Sequence, residues 1–376
     1  MKKKNLTISR LLSLVLMATM FFACGDDTKN KEKPLNAAVD ETPSGNTSLI
    51  SATDKGLYVL CEGTYGHFNS AVDFYNTQTQ TALTDAFNQI NGLGMGGTAN
   101  DMLEVDNYIF VAVTDDAMVR VLNKDNMTVY KRFKIVDDNG INRQPRHLVY
   151  NNGNVYVSCF DGNVVRINVN QMAITGVVQT KGRNPEGIVI NNGKLFVANC
   201  GGLSFPNYDK TVSVIDLPAF SVDKMIEVAS NPTQLQFFGN YVYSLSMGDY
   251  SALPVLSKIS ASDYTVENTQ SIAATEIKIY GNYMYYFYKD YAKNTISLKK
   301  MNLNTMQQEE FAVAPEDMKT PYKITVADDI VFITDAVDYV TGGKVFAFDL
   351  NGVLLYKFST SVGPNTVIIK KGISAV

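Results

Sequence analysis

The 376-residue sequence has no tryptophan, only two histidines and only four cysteines, and these shortages exclude several classes of protein. It has neither a CxxC pair nor a Cys/His spacing typical of a structural zinc site. It also lacks HExxH and GxSxG, the motifs of zinc proteases and serine hydrolases. Signals for helices are nearly absent. We therefore expect an all-β protein with no bound metal.

Long apolar runs are missing too, except for Leu11–Phe22, which is too short to span a bilayer. Four basic residues precede this run: Lys2, Lys3, Lys4 and Arg10. This combination is typical of a signal peptide, predicted over 1–23. Its removal would change the formal net charge from −4 to −8, because all four basic residues would be lost. No basic stripe remains, so we expect no nucleic-acid partner.

The rest of the chain repeats one pattern with a period in the forties, seen most clearly in Pro185–Asp216. An aromatic residue within a β-rich apolar run recurs at Tyr58, Phe110, Tyr156, Phe196, Tyr243, Tyr285 and Phe332. Eleven residues before six of these lie Ala99, Pro145, Pro185, Pro232, Ala274 and Pro321. The predicted third strands end at Asn76, Asn123, Asn168, Asp216, Ser260, Asn302 and Asp349. Seven such four-stranded units predict a seven-bladed β-propeller.

The first unit lacks its innermost strand, and the end of the chain can supply it. The stretch from Pro364 to Ile369 has the pattern of a first strand with no second strand after it. We expect residues 366–370 to pair beside Leu57–Leu60 and to close the ring, which removes the exposed sheet edges of an open array. The propeller would then occupy residues 56–376. An open β-solenoid is the alternative, although solenoid repeats are usually shorter.

Residues 24–55 are predicted to form a lipidated cysteine and a flexible tether. Ala23-Cys24 at the end of the apolar run resembles a bacterial lipobox, which implies cleavage before Cys24 and acylation of its thiol. Asp26 and Asp27 resemble the surface-export signal of lipoproteins in Bacteroidota. An ordinary signal peptide with a chance cysteine is the alternative. Residues 25–54 are polar and lack aromatics, which is typical of disorder.

Three cysteines remain after cleavage, Cys61, Cys159 and Cys200, all at the ends of predicted second strands. An odd number cannot pair completely. Cys159 and Cys200 lie in adjacent predicted blades and could form a disulfide, but free buried thiols are the preferred prediction.

One face of the predicted propeller carries both the loops between second and third strands and the loops between blades. We call it the loop face. Its aromatic and amide side chains could stack on a ligand and bond to it, or could simply brace the loops. The predicted ligand-binding residues are Tyr65, His67, Phe68, Asn100, Arg146, His147, Phe160, Asn184, Asn199, Tyr208, Asn231, Tyr250, Tyr291 and Tyr339.

Acidic residues on the same face leave an enzymatic alternative open, because paired carboxylates can hydrolyse glycosidic bonds. They are Glu62, Asp101, Asp161, Glu186, Asp209, Asp249, Asp290 and Asp335. Blade repeats place acids near loops by default, and turn formation explains most of them. We therefore expect no enzyme activity and no catalytic residue.

Motifs in three loops carry a resemblance to a known family. They are Leu93-Gly94 with Thr98-Ala99-Asn100-Asp101, the run from Gly182 to Gly187, and Gly201-Gly202-Leu203 with Pro206-Asn207-Tyr208-Asp209. Together with Glu62-Gly63, they resemble the YncE-like (YVTN-repeat) propeller lipoproteins of Bacteroidota over about residues 56–370.

The resemblance implies an outer-membrane lipoprotein that faces the cell exterior. It implies capture of cobalamin (vitamin B12) and related corrinoids as transported ligands, with no cofactor, and delivery to a TonB-dependent outer-membrane transporter. An adhesin or interaction module that binds another ligand, a glycan or a protein is the alternative, because loop tyrosines and asparagines serve that role equally well.

Overall fold

The structure is a computed structural model that describes residues 38–373. The predicted signal peptide and the predicted lipidation site Cys24 lie outside the described residues. Within them, seven antiparallel sheets form seven blades, and neighbouring inner strands contact one another all the way round. The predicted all-β, seven-bladed propeller is therefore confirmed.

Each blade has four strands, which follow one another from the axis outwards. Blade 1 contains β29 (Pro364–Lys371), β2 (Lys55–Cys61), β3 (Ala71–Asn76) and β4 (Thr81–Leu83). Blade 2 contains β5 (Ala99–Val105), β6 (Tyr108–Val113), β7 (Met118–Asn123) and β8 (Val129–Lys134). Blade 3 contains β9 (Pro145–Asn151), β10 (Asn154–Cys159), β11 (Asn163–Asn168) and β12 (Ala173–Gln179). Blade 4 contains β13 (Pro185–Asn191), β14 (Lys194–Asn199), β15 (Thr211–Asp216) and β16 (Ser221–Glu227).

The remaining blades follow the same order. Blade 5 contains β17 (Pro232–Phe238), β18 (Tyr241–Ser246), β19 (Val255–Ser260) and β20 (Val266–Ser271). Blade 6 contains β21 (Glu276–Tyr280), β22 (Tyr283–Asp290), β23 (Thr295–Asn302) and β24 (Gln307–Ala312). Blade 7 contains β25 (Pro321–Ala327), β26 (Ile330–Asp335), β27 (Gly342–Asp349) and β28 (Leu354–Val362).

The last strand closes the ring as predicted. β29 pairs antiparallel with β2, with Val367 opposite Val59 and Ile369 opposite Leu57. It also contacts the inner strands of blades 7 and 2. The first blade is thus built from both ends of the propeller sequence.

The recurring aromatic residues pack between blades. Each one belongs to the apolar cluster that joins its own blade to the next, and each is almost fully buried. Tyr58, for example, joins blade 1 to blade 2 beside Ile109 and Met102. The aromatic recurs once per four-stranded repeat because each blade contributes one large ring to the wedge between it and the next blade.

The polar residues predicted to end the third strands do so in all seven blades. Each side chain accepts a backbone N–H of the following turn, as Asp216 accepts that of Ala219 at 2.8 Å. These bonds satisfy amides that the ladder leaves unpaired, and they fix the turns on the face opposite the loops.

Residues 38–54, which we call the strap, differ from the prediction of a flexible tether. β1 (Val39–Asp40) pairs with β8, and the Glu41 carboxylate accepts from the Arg120 guanidinium at 2.9 Å. Ile50 is 1% exposed and packs in the apolar cluster between blades 1 and 2. The prediction was wrong for this stretch because its contacts are mostly backbone hydrogen bonds and one buried ion pair, which composition does not reveal.

One short helix interrupts the all-β pattern. α1 (Ala86–Asn91) lies between blades 1 and 2 and contributes Phe87 and Ile90 to the cluster that contains Ile50. The backbone N–H groups of Ser44 and Asn46 in the strap donate to the carbonyls of Asn91 and Gln89. No helix in residues 38–373 is long and apolar enough to cross a membrane.

Candidate functional site

A polar cavity of about 220 Å³ lies on the loop face where the inner strands begin. We call it the mouth. In six blades a register shift separates the first residue of the inner strand from the rest of its ladder. Such bulges re-aim side chains, and here they precede residues that line the mouth. The lining residues are Glu62, Asn100, Arg146, His147, Glu186, Gln234, Thr275, Glu276, Lys289, Tyr291, Pro321, Tyr322, Lys323 and Tyr339.

A chain of charged groups crosses one side of the mouth. Arg146 donates two bonds to the Glu186 carboxylate, from Nη2 at 2.7 Å and from Nε at 3.1 Å. His147 lies between two acids, with Nε2 3.3 Å from Glu186 and Nδ1 3.6 Å from Asp101. The guanidinium of Arg146 also lies 4.3 Å from the ring centroid of Phe160. The bidentate Arg146–Glu186 pair fixes side chains of blades 3 and 4 relative to each other. The His147–Asp101 contact links them to blade 2.

The pKa values in this chain follow from its ion pairs. Burial opposes the charged form of His147, but bonds to Asp101 and Glu186 outweigh it and raise the pKa of His147 to about 9. Burial likewise acts to raise the pKa of Glu186, but the Arg146 charge and His147 lower it to about 2. His147 is therefore an imidazolium at neutral pH.

The opposite side of the mouth holds a looser pair. Lys323 Nζ lies 3.5 Å from the Glu276 carboxylate, which also accepts from the Gln234 side-chain amide. Burial raises the pKa of Glu276, against the opposing effect of Lys323. Blades 5, 6 and 7 each supply one of these groups.

Glu62 has only neutral hydrogen-bond donors. Its carboxylate accepts from the Tyr322 hydroxyl at 2.6 Å and from the Asn365 amide. Burial raises the pKa of Glu62, and the donors and more distant cations only partly offset that effect. Within the described residues, Glu62 forms no ion pair.

Exposed aromatic and apolar side chains form a wall over blades 6, 7 and 1. Tyr291 is 71% exposed and Phe68 is 60% exposed, and Tyr65, Tyr339 and Val340 are exposed as well. Tyr339 packs edge-on against Tyr322, with ring centroids 5.7 Å apart. This wall rises directly beside the mouth, because Tyr291, Tyr322 and Tyr339 also line it.

A second wall stands over blades 4 and 5. Phe205 packs edge-on against Tyr208, and Tyr208 against Tyr250, with centroids 5.9 and 6.5 Å apart. Leu203 and Leu253 are exposed beside them. The loops of blades 2 and 3 at 114–117 and 160–162 are short, so the face is open on that side.

The structure brings five of the predicted binding residues to the mouth: Asn100, Arg146, His147, Tyr291 and Tyr339. Another five lie on the walls or their loops: Tyr65, His67, Phe68, Tyr208 and Tyr250. Phe160 lies beneath Arg146 rather than in the cavity lining.

Three predicted asparagines serve the loops instead. Asn184 donates to the Phe160 carbonyl, and Asn231 is buried and donates to the Gly248 carbonyl. Asn199 is fully buried and donates to the hydroxyls of Thr211 and Ser213. Their side-chain amides donate hydrogen bonds to carbonyl and hydroxyl groups of the protein itself, so they are not available to bind a ligand on the loop face.

Prediction from sequence left Gln234, Glu276, Lys289 and Lys323 out of the candidate site. Except for Lys289, these follow a Pro or Ala that stands eleven residues before a recurring aromatic. The two positions after that residue would have been the signal, and in blades 5 and 7 the bulge lies there. At one such position, Gly187, a side chain would meet the Thr233 carbonyl, with a Cβ only 2.6 Å away.

The described residues contain no cluster of His, Cys, Asp or Glu suited to a metal ion. Cys61, Cys159 and Cys200 are all buried and free, so the preferred prediction of free thiols is confirmed over a Cys159–Cys200 disulfide. Burial raises the pKa of the Cys200 thiol to about 12, which makes it a poor nucleophile.

Solved structures share this fold at low sequence identity. A quinonprotein alcohol dehydrogenase-like protein from Bacteroides thetaiotaomicron has a TM-score of 0.60 at 14% identity, over 85% of this chain and 79% of that chain. Kuenenia stuttgartiensis hydrazine synthase has a TM-score of 0.57 at 13% identity, over 71% and 87%. The computationally designed Ika8 protein has a TM-score of 0.55 at 15% identity, over 89% and 98%. These identities show the fold alone.

No curated protein matches the sequence. A family model described as a domain of unknown function, DUF5074, matches residues 55–283. The match begins at the first residue of β2, ends in blade 6 and covers more than half of the chain. The chain therefore belongs to the DUF5074 family, whose domain here is part of a seven-bladed β-propeller.

Proposed function

We propose that this protein is a surface-exposed lipoprotein that captures corrinoids such as cobalamin on its loop face and hands them to a TonB-dependent outer-membrane transporter. It acts as a binding protein and not as an enzyme. The observation that carries the proposal is the pair of aromatic walls on either side of a hydrogen-bonding mouth.

The shape of the face suits a wide, flat ligand. A mouth of about 220 Å³ is smaller than the pockets that usually enclose a drug-sized molecule. A corrin macrocycle would therefore lie across the face, between the walls, with only an arm in the mouth. Exposed rings such as Tyr250 and Tyr291 offer apolar surface to the macrocycle, and polar groups such as Asn100 and Gln234 offer partners to its amide arms.

The choice of a corrinoid rests on the resemblance of the loop motifs to YncE-like lipoproteins of Bacteroidota. The motif residues Asn100 and Tyr208 lie at the mouth and on the second wall. A corrinoid carries little net charge, so the balanced charges of the mouth are compatible with it.

A protein or glycan partner is the second candidate. It is favoured by Leu203, Leu253 and Val340, which extend the apolar surface of the walls outwards. Aromatic loop residues flanked by apolar ones form the centres of many protein interfaces.

Lipidation at Cys24 and export to the cell exterior complete the proposal. Cys24→Ala should move the protein from the membrane fraction to the soluble fraction. Replacement of Asp26 and Asp27 by Ala should keep it lipidated but protect it from protease added to intact cells. Unchanged fractionation of the first variant, or unchanged digestion of the second, would contradict the corresponding step.

Calorimetric titration of residues 25–376 with cobalamin and with cobinamide tests the ligand. We expect saturable binding of both, because the corrin ring and its amide arms are common to them. If folded protein, shown by a cooperative melting transition, gives no binding heat with cobalamin or with cobinamide, the corrinoid assignment is wrong. The protein or glycan partner then remains as the candidate.

A further inference from the structure

The mouth contains one acid and one base that no ion pair explains, and both line the same cavity. Glu62 has no basic partner and Lys289 has no acidic partner within the described residues. The other charged lining groups are matched, Arg146 and His147 with Glu186, and Lys323 with Glu276. We propose that the mouth binds a small zwitterion of the α-amino acid class, with its ammonium group at Glu62 and its carboxylate at Lys289.

Glu62 is prepared to receive a donor. Tyr322 and Asn365 each donate to a different oxygen of the carboxylate, which fixes its orientation and leaves further lone pairs. Both donors are neutral, so they orient the charge without cancelling it. A bound ammonium would supply the missing opposite charge and would stabilise the ionised carboxylate.

The Lys289 ammonium is held at the rim of the mouth, but no carboxylate within the described residues neutralises its charge. Its ammonium donates to the Lys319 carbonyl and lies 5.2 Å from the ring centroid of Tyr291. A carbonyl and an aromatic face both position a cation, but neither carries a full negative charge. A ligand carboxylate would complete this site.

The size and lining of the mouth limit the ligand. A volume of about 220 Å³ suits a small molecule, and Tyr291, Tyr322 and Tyr339 provide apolar contacts for its side chain. A compact ligand with a single charge would leave either Glu62 or Lys289 without a partner. A zwitterion pairs both: its ammonium satisfies the Glu62 carboxylate, whose burial is favourable only when its charge is paired, and its carboxylate pairs with the more exposed Lys289 ammonium.

Matched ligands test the role of each charge. Calorimetry with glycine, L-leucine and L-phenylalanine should detect binding of at least one free amino acid. The N-acetyl derivative of that amino acid lacks the ammonium, and its amide lacks the carboxylate. Each should bind the protein at least tenfold more weakly than the free amino acid does. No binding of any of the three amino acids, or equal binding of the blocked forms, would overturn the proposal.

Variants then assign each charge to its residue. Glu62→Gln should weaken binding of the free amino acid at least tenfold and leave that of the N-acetyl form unchanged. Lys289→Met should weaken the free amino acid similarly and leave the amide unchanged. Lys293→Gln is the matched control, because this exposed lysine pairs with Asp290 outside the mouth. If the control weakens binding as much as the two mouth variants, the assignment is wrong.

The proposal does not depend on corrinoid capture, and the two can fail separately. Protein that shows no heat with cobalamin can still bind the free amino acid in preference to its blocked forms. Conversely, if Glu62→Gln and Lys289→Met bind cobalamin like the wild type, corrinoid capture stands. The titrations with amino acids then decide separately whether the mouth binds a zwitterion.

Discussion

At the scale of residues, His147 links the stability of the fold to pH. Its pKa is raised from 6.5 to about 9 by Asp101 and Glu186, despite burial. A raised pKa contributes stability that is fully present below pH 6.5 and is lost as pH rises through 9. The unfolding free energy of the wild type should fall between pH 6.5 and 9. We predict that this fall is smaller in His147→Gln by roughly 2–3 kcal/mol. Urea denaturation at both pH values measures this difference.

The other histidine provides the control. His67 is exposed on the loop that follows β2, and its side chain makes no hydrogen bond or ion pair within the described residues. His67→Gln should therefore keep the wild-type pH dependence of stability. If His147→Gln also keeps it, the imidazolium does not stabilise the fold.

Glu186, in the same group of ion pairs as His147, links the stability of the fold to low pH. Its pKa is lowered from 4.5 to about 2, so its contribution is present above pH 4.5 and is lost as pH falls towards 2. Stability from these two groups should thus be greatest between about pH 4.5 and 6.5. The unfolding free energy of Glu186→Gln should decline less than that of the wild type as pH falls from 4.5 towards 2, because other carboxyl groups with lowered pKa values, such as that of Asp317, remain.

Prediction from sequence identified only some of the residues that line the mouth. Tyr291, Arg146 and His147 were found because loop residues of a repeat share a face. Asn199 was assigned to the same face but is buried, since a strand-end amide can turn inwards to bond Thr211 and Ser213. Sequence position fixes the end of a strand, whereas the direction of a side chain there depends on the bulge.

At the scale of elements, Ile50 fastens the strap to the propeller. It is 1% exposed and packs against residues of α1 and blade 2. Ile50→Ala should leave a cavity and lower the free energy of unfolding by about 3 kcal/mol. Leu49→Ala is the control, because Leu49 is exposed and should cost less than about 0.5 kcal/mol. Equal urea midpoints for the two variants would show that the strap does not pack on the core.

Elements without a repeat were the ones that prediction missed. The strap and α1 occur once in the chain, so no second copy reveals them. Both are fixed by distant partners: Glu41 pairs with Arg120, and the Asn91 side chain donates to the Met127 carbonyl. The strands, in contrast, were predictable because seven units repeat the same aromatic, anchor and turn residues.

At the scale of the whole molecule, closure of the ring depends on β29. Deletion of 364–376 would remove the inner strand of blade 1, the Asn365 bond to Glu62 and a buried Val367. It would also expose the inner edge of β2 and uncover the inner strands of blades 7 and 2 that β29 contacts, so we expect aggregation or loss of the cooperative melting transition. A protein without β29 that melts like the wild type would refute the strand exchange.

Ligand capture on the loop face is the central claim, and corrinoid titration of paired variants on the two faces tests it most directly. Tyr65→Ala and Tyr208→Ala truncate rings on the two walls. Asn152→Ala and Asn192→Ala alter turns on the opposite face. We predict that the tyrosine variants lose about 2 kcal/mol of cobalamin binding free energy if their rings are central contacts, and that the asparagine variants bind like the wild type. Unchanged affinity in the tyrosine variants, together with weaker binding in the asparagine variants, would contradict the claim.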